Sequence, residues 1–289
     1  MTPVGRVVLA DNLSVLCDLP DETIDLIYVD PPFNTGRRQT FERLKTVRDE
    51  VNGDRTGFAG RRYRTVRLGT SSYLDVYDDY LAFLEPRLRE FHRVLKPTGS
   101  LYLHVDYREV HYCKVLLDAI FGRRCFLNEI IWAYDYGGRP RRRWPPKHDN
   151  ILVFVKDPRR YYFDPDAAER IPYMAPSLVG AEKAARGKRV TDVLWHTIVP
   201  PGGKERTGYP TQKPLGVVRR VVLTSSPPGG QVADFFAGSG TTGVACYETG
   251  RRFLLVDSSP HAMAVMTHRF AQFSGIAYEG VPNRFDKSI

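Results

Sequence analysis

What this sequence lacks narrows its function before any motif is read. Its four cysteines, Cys17, Cys113, Cys125 and Cys246, stand far apart with no CxxC pair, so neither a zinc site nor a disulfide framework is encoded. They read as reduced, small apolar residues. The seven histidines show no ligand spacing, and His148 and His196 read as structural; no metal is expected. No apolar run approaches the roughly 20 residues of a membrane helix, and the start, "MTPVGRVVLADNL", has no charged segment followed by a long apolar one. The expected setting is cytoplasmic, with no membrane partner. Internal repeats and low-complexity tracts are absent too.

What is present is an ordinary globular composition with a basic excess. The chain has 289 residues, 42% hydrophobic and 26% charged, enough for one large domain or one domain with a sizeable insertion. A formal net charge of +9 favours a polyanionic partner such as nucleic acid.

Short β-rich runs alternate with helical patterns, which predicts an α/β fold around a mostly parallel sheet. The candidate strands number seven: "GRVVLAD", "IDLIYVD", "SLYLHVD", "EIIWAYD", "NILVFVK", "QVADFFA" and "RFLLVD". Apolar spacing of three and four predicts a helix within "YLDVYDDYLAFLEPRLREFHRVLKPTG", stopped by Lys-Pro-Thr-Gly, and another from Arg108 to Phe121. Two stretches break the rhythm. Residues 36–72 are rich in Arg, Gly and Thr and read as a long flexible loop. Residues 134–207 hold "GGRPRRRWPPKH" and "PPGGKERTGYP" and read as an inserted recognition region.

"QVADFFAGSGTTGVACYETGRRFLLVDSS" places Gly238, Gly240 and Gly243 between a strand and a helix, with a second strand ending in Asp257. That is a mononucleotide-binding βαβ pattern: glycines admit a ligand close to the backbone, and the later acid accepts from ribose hydroxyls. A tight turn with no ligand would need the same glycines. Little more than a helix follows Asp257, so the sheet must be completed by strands from the N-terminal half, a circularly permuted Rossmann-like order.

If "QVADFFA" is central and "IDLIYVD" lies beside it, their C-terminal ends open into one crevice. "DPPF", Asp30 to Phe33, then faces the ligand of the glycine turn. An aromatic amine is a poor nucleophile because its lone pair is delocalised into the ring. The Asp30 carboxylate and a backbone carbonyl held at Pro31 could accept both amine hydrogens and turn the lone pair toward an electrophile. Phe33 would stack on a base flipped out of a duplex. The bland alternative is a solvated Asp ending a strand before a proline turn; the nearby glycine turn and arginine clusters weigh against it.

Here the chain resembles a known family. "DPPFNTG", then "GYPTQKP", then "FFAGSGTT" is similar to the S-adenosylmethionine-dependent DNA amino-methyltransferases of the β order, in which the catalytic motif precedes the cofactor motif. The likeness runs from "VVLADNLSVLCDLPDETIDLIYVDPPFNTG" to "RRFLLVDSS". It implies a catalytic role for Asp30, Pro31, Pro32 and Phe33. It implies cofactor contacts from Asp234, Phe235, Phe236, Ala237, Gly238, Ser239, Gly240, Thr241, Thr242 and the ribose-binding Asp257. Asp11, in "LADN", would lie near the cofactor adenine, and Lys213 and Pro214 would close over its methionine end. Ala10 replaces the usual Gly and Phe33 the commoner Tyr, so any role of that hydroxyl is absent. Asp11 could instead cap a helix, Lys213 could be a solvated lysine at a helix start, and Asp257 could also cap.

The resemblance divides the chain into a catalytic part, 1–133, a target-recognition insertion, 134–207, and a cofactor-binding part, 208–289. Double-stranded DNA is the implied partner. Arg139, Arg141, Arg142, Arg143, Trp144 and Lys147, with Arg37, Arg38, Arg61 and Arg62 of the long loop, are the candidate contacts to phosphates and base edges. A homodimer and a cognate restriction endonuclease both stay open. The absence of a Pro-Cys dipeptide argues against methylation of ring carbon. The expected reaction is methyl transfer from S-adenosylmethionine to the exocyclic amine of adenine, with the cytosine N4 amine as runner-up. A NAD-dependent oxidoreductase would explain the glycine turn but not the Asp-Pro-Pro-Phe bend or the arginines; a non-catalytic DNA-binding protein is the third alternative.

Overall fold

The structure, a computed structural model, describes residues 3–34, 37–49, 51–52, 54–56, 60–75, 77, 79–200 and 202–280. The chain opens with β1 (Gly5–Leu9), α1 (Asn12–Asp18) and β2 (Ile24–Val29), followed by β3 (Arg37–Arg48), β4 (Arg55–Thr56) and β5 (Arg62–Asp75). Next come α2 (Tyr80–Val94), β6 (Leu95–Val105), α3 (Val110–Phe121), β7 (Phe126–Ala133), β8 (His148–Val155), α4 (Ala181–Arg186) and β9 (Val193–Trp195). The last stretch holds α5 (Leu215–Ser225), β10 (Gln231–Asp234), α6 (Thr241–Glu248), β11 (Arg252–Asp257), α7 (Pro260–Arg269) and β12 (Ile276–Glu279).

Among the described residues the main sheet has nine strands in the order β12-β1-β11-β10-β2-β6-β8-β7-β9. All seven expected strands are in it; the short β9 and β12 add its two edges. From β12 through β6 every neighbouring pair is parallel, β8 is antiparallel to both β6 and β7, and β9 runs parallel to β7. The permuted order follows: β10, late in the chain, pairs with β2 near its start, with Val232 opposite Leu26 and Ala233 opposite Ile27. β2 is buried at all its positions, as a central strand covered on both faces must be.

α2 starts at Tyr80, later than its sequence pattern suggests, because Tyr73–Asp75 belong to β5 and the Asp79 side chain caps the helix by accepting from Ala82 N at 2.9 Å. Its Tyr80, Leu84, Leu88 and Phe91, four or three residues apart, form the buried stripe. The helix stops at Val94 because Leu95 already pairs with Ile24, and the Lys-Pro-Thr-Gly segment becomes the first, bulged part of β6.

Two expectations need correction. The stretch read as a loop, 36–72, is mostly paired: β3 and β5 form a long antiparallel ribbon extended by β4, within a compact unit spanning Asn34–Asp78. The stretch read as one insertion, 134–207, contains β8, which lies between β6 and β7 in the main sheet, so the irregular chain lies on either side of it. His196, just after β9, is held by Ala133 O at 3.1 Å from its backbone nitrogen, and its carbonyl accepts from Trp132 Nε1 at 2.7 Å. Its ring fills the place a side chain would take on Gly216 of α5: a Cβ there would lie 2.4 Å from His196 Nε2.

Candidate active site

The glycine turn leaves β10 at Asp234 and enters α6 at Thr241. Gly238 and Gly240 both have positive φ, +50° and +74°, which an L side chain adopts only with strain. A Cβ on Gly240 would also lie 2.7 Å from Phe270 Cζ. Gly238 N donates to Asp257 Oδ2 at 2.8 Å, and Ser259 N to Asp257 Oδ1 at 2.8 Å. Each of these oxygens keeps a second lone pair, so Asp257 can accept further donors. Burial pushes the Asp257 carboxyl above its usual range, against those two hydrogen bonds.

Beneath the turn, Asp234 is enclosed. It accepts from Phe236 N at 3.0 Å and from Thr242 Oγ1 at 2.6 Å. Burial drives its carboxyl up to about 7, opposed by those bonds and assisted by the charges of Asp30 and Asp257. Phe235 turns the other way: its fully buried ring stacks on Phe91 with centroids 5.2 Å apart. Its side chain is core, and only its main chain serves the turn. Thr242 is likewise spent on Asp234, whereas Ser239 and Thr241 bond each other and Arg269.

Asp11 caps α1, accepting at Oδ1 from Leu13 N at 2.9 Å and Ser14 N at 3.3 Å; its Oδ2 lies 3.3 Å from Arg87 Nη2. The cap reading of Asp11 is therefore present in the structure. Its neighbour Asn12, which the sequence reading passed over, is buried and bridges two elements: Nδ2 donates to Phe235 O at 2.8 Å and Oδ1 accepts from Arg87 Nε at 2.7 Å. The available signal was its place one residue beyond Asp11 in "LADN".

The Asp-Pro-Pro-Phe bend begins directly after β2, in step with the residues that begin the glycine turn. Asp30 Oδ2 lies 2.9 Å from Lys213 Nζ, both side chains largely buried at 15% and 12% exposure. Asp30 Oδ1 is buried and has no hydrogen-bond partner. The Lys213 ammonium also sits 4.7 Å from the centroid of the Phe33 ring, and its main-chain carbonyl accepts from Thr241 Oγ1 at 3.1 Å. One residue thus ties the bend to the first turn of α6.

Comparison with known proteins decides the family. A DNA methylase model, that of the N6/N4 methyltransferases, matches residues 24–268, most of the chain. The chain belongs to this family. Its members are the S-adenosylmethionine-dependent DNA amino-methyltransferases, so this chain is an enzyme of that kind, acting on DNA. It is 29% identical over 271 residues to the type II methyltransferase M.HpaI of Haemophilus parainfluenzae, covering 93% of this chain and 76% of that protein. It is 28% identical over 264 residues to the DNA adenine methyltransferase YhdJ of Escherichia coli, covering 87% and 77%. Among solved structures, the cytosine-N4-specific PvuII DNA methyltransferase superposes with a TM-score of 0.60 at 16% identity over 99% of this chain and 91% of that one. The complex of M1.HpyAVI with its methyl donor superposes with a TM-score of 0.57 at 19% identity over 92% and 98%. At those identities the superpositions establish the fold.

Behind the bend, this methylase carries a polar chain absent from the sequence reading. His104 is fully buried, with Nδ1 2.8 Å from Tyr28 Oη and Nε2 3.2 Å from Asp149 Oδ2; Tyr134 Oη donates to Asp149 Oδ1 at 2.9 Å. The His104 ring packs on Phe33, centroids 5.8 Å apart. Burial and the charge of Asp30 hold the Tyr28 hydroxyl well above its usual pKa, so it stays protonated. The sheet order β2-β6-β8-β7, with Tyr134 just past the end of β7, brings these four residues together.

The residues expected to contact DNA are on the surface. Arg139, Arg141, Arg142 and Arg143 are exposed, and Trp144 is 95% exposed. Lys147 closes this loop, its ammonium donating to Tyr136 O and Gly137 O, both at 2.9 Å. Arg61 and Arg62 are exposed on the ribbon, where Arg62 Nη1 reaches Val51 O at 3.4 Å; the side chains of Arg37 and Arg38 lie outside the described residues. Among the described residues no helix is long and apolar enough to cross a membrane.

Proposed function

We propose that this methylase transfers its methyl group to the exocyclic amine of adenine in double-stranded DNA, with the base turned out of the helix. The observation that carries this reading is Asp30 Oδ1: a buried carboxylate oxygen with no partner, at the end of a central strand, waiting for a donor. An exocyclic amine offers two N–H donors. Asp30 Oδ1 accepts one and the Pro31 carbonyl the other, which draws the nitrogen lone pair out of conjugation. Phe33 stacks on the base, backed by His104. On methylation the nitrogen must release a proton, and Asp30 is the base hydrogen-bonded to it in this pose.

S-adenosylmethionine, when bound, supplies an electrophilic sulfonium methyl group. The residues present suit it: Gly238 and Gly240 leave the turn free of side chains, and Asp257 has lone pairs for ribose hydroxyls. Asp11, with its exposed carboxylate, would face the adenine end. The exposed arginines around Trp144, with Arg61 and Arg62, would hold phosphates and read base edges.

Adenine is favoured by the Asp-led motif and by the likeness to YhdJ, whose name states adenine as its target. Cytosine N4 is the second reading, since it shares the chemistry. Incubating the protein with plasmid DNA and the methyl donor, then mapping modified positions by single-molecule sequencing, identifies the base and its sequence context together. Methylated cytosine with no methylated adenine would overturn the adenine assignment.

A further inference from the structure

Three strand-end aspartates of the main sheet share one arrangement, and Asp30 departs from it. After β10, Asp234 accepts from the backbone nitrogen two residues on, Phe236, at 3.0 Å. After β11, Asp257 accepts from Ser259 N at 2.8 Å, and after β6, Asp106 accepts from Arg108 N at 3.0 Å. Each carboxylate is oriented by its own turn, the usual behaviour of Asp before a loop. After β2, the corresponding residue is Pro32, which has no N–H, and Pro31 between them has none either. The two prolines therefore strip from Asp30 the backbone donor that fixes its three counterparts.

Something else must hold the carboxylate, and Lys213 is placed to do so. Its ammonium, 2.9 Å from Oδ2, engages one oxygen and leaves Oδ1 buried and open. Its position is fixed from behind, because its carbonyl accepts from Thr241 Oγ1, and its charge rests against Phe33. Resting on the amine-methylation reading above, we infer that Lys213 is a positioning residue: it replaces the missing backbone donor and turns Asp30 so that Oδ1 meets the target amine. The prolines then have a second purpose besides rigidity. They keep the acid from satisfying itself locally, so its orientation is set by a residue next to the glycine turn. This differs from a role for Lys213 in binding the methionine end of the methyl donor.

The test uses the full-length protein with Lys213→Met, which keeps length and removes charge. Affinity for S-adenosylhomocysteine is measured by calorimetry, and kcat and KM with duplex DNA at saturating methyl donor. The expected result is a kcat lowered roughly tenfold to a hundredfold, as for a misaligned catalytic group, with product-cofactor affinity within about threefold of wild type. Lys213→Arg, retaining a donor, should recover part of kcat. In an Asp30→Asn background, Lys213→Met should lower the residual rate no further. If Lys213→Met fails to fold, Lys213→Gln takes its place with the same expected split. Weakened cofactor affinity with kcat restored at saturation, an undiminished kcat, or a full additional loss on top of Asp30→Asn would each overturn the inference. An active Asp30→Ala enzyme would instead sink the amine reading beneath it, whereas a dead Asp30→Ala beside a fully active Lys213→Met removes only the role of the lysine.

Discussion

Thr242 Oγ1 donates to Asp234 Oδ2 at 2.6 Å, with both residues buried. Burial raises Asp234 to about 7, so the folded protein keeps a proton that the unfolded chain releases near pH 4. Between about pH 4 and 7 the native state thus binds more protons than the unfolded state, and stability from this group falls as pH rises through that window. Above about pH 7 both states are ionised and the dependence levels off. Urea unfolding midpoints of wild type and Asp234→Asn across this range check it. Their difference should shift against wild type as pH rises toward 7 and then hold constant, and a pH-independent difference would refute the assignment.

Replacement of Asp30 by Ala should cut methylation at least roughly a hundredfold. Affinities for S-adenosylhomocysteine and for DNA should stay within a few-fold. The measurement is radiolabel incorporation beside two equilibrium titrations. Retained activity would remove Asp30 from the chemistry.

The two glycines of the turn should respond differently to alanine. At Gly240 positive φ adds to a Cβ placed 2.7 Å from Phe270 Cζ and 2.9 Å from Met266 Cγ, and the loss should be on the order of 2–3 kcal/mol. At Gly238 the contact is with the edge of Tyr209 at 3.0 Å, and the loss should be nearer the ~1 kcal/mol of the backbone conformation alone. Chemical denaturation of both variants decides. Equal losses would mean that the core contact is relieved at no cost.

Duplex binding should be salt-sensitive. Catalytic efficiency should fall steeply between low and moderate ionic strength, and replacing Arg141 and Arg142 together by Ala should lower the slope of log affinity against log salt by roughly one to two. Trp144→Ala should weaken binding with the slope unchanged. Fluorescence anisotropy titrations at several salt concentrations measure both, and a flat response would exclude phosphate clamping by these residues.

Much of this fold is written in its apolar runs. β11 coincides with "RFLLVD", and the other six expected strands lie within three residues of their expected limits except at the start of β6, which begins five residues early, because buried strands are short and bounded by acids or glycines. That N-terminal strands complete the sheet follows from motif order; the pairing of β10 with β2 enters the sequence reading as a condition, and the structure meets it. The ribbon of β3 and β5 is hidden for the opposite reason. Its strands, such as "RRQTFERLKTVR", lack a regular apolar face, so period-two alternation is missing even though the backbone is extended. At the site, local motifs reveal Asp30, Phe33 and the glycines. The partners that give them their properties, Arg87 on Asn12, His104 behind Phe33 and Lys213 on Asp30, meet across 71 or more residues of chain, and nothing in a local pattern specifies who meets whom.

The notch at Gly216 bears on how segments of this chain can be exchanged. Because the His196 ring lies where any larger residue on α5 would stand, the segment after β9 interlocks with the helix that begins just beyond Lys213. A chimera that swaps in another relative's segment around His196 and leaves position 216 behind would jam that joint. Any transplant of that segment onto this scaffold must therefore carry the two positions as one cassette.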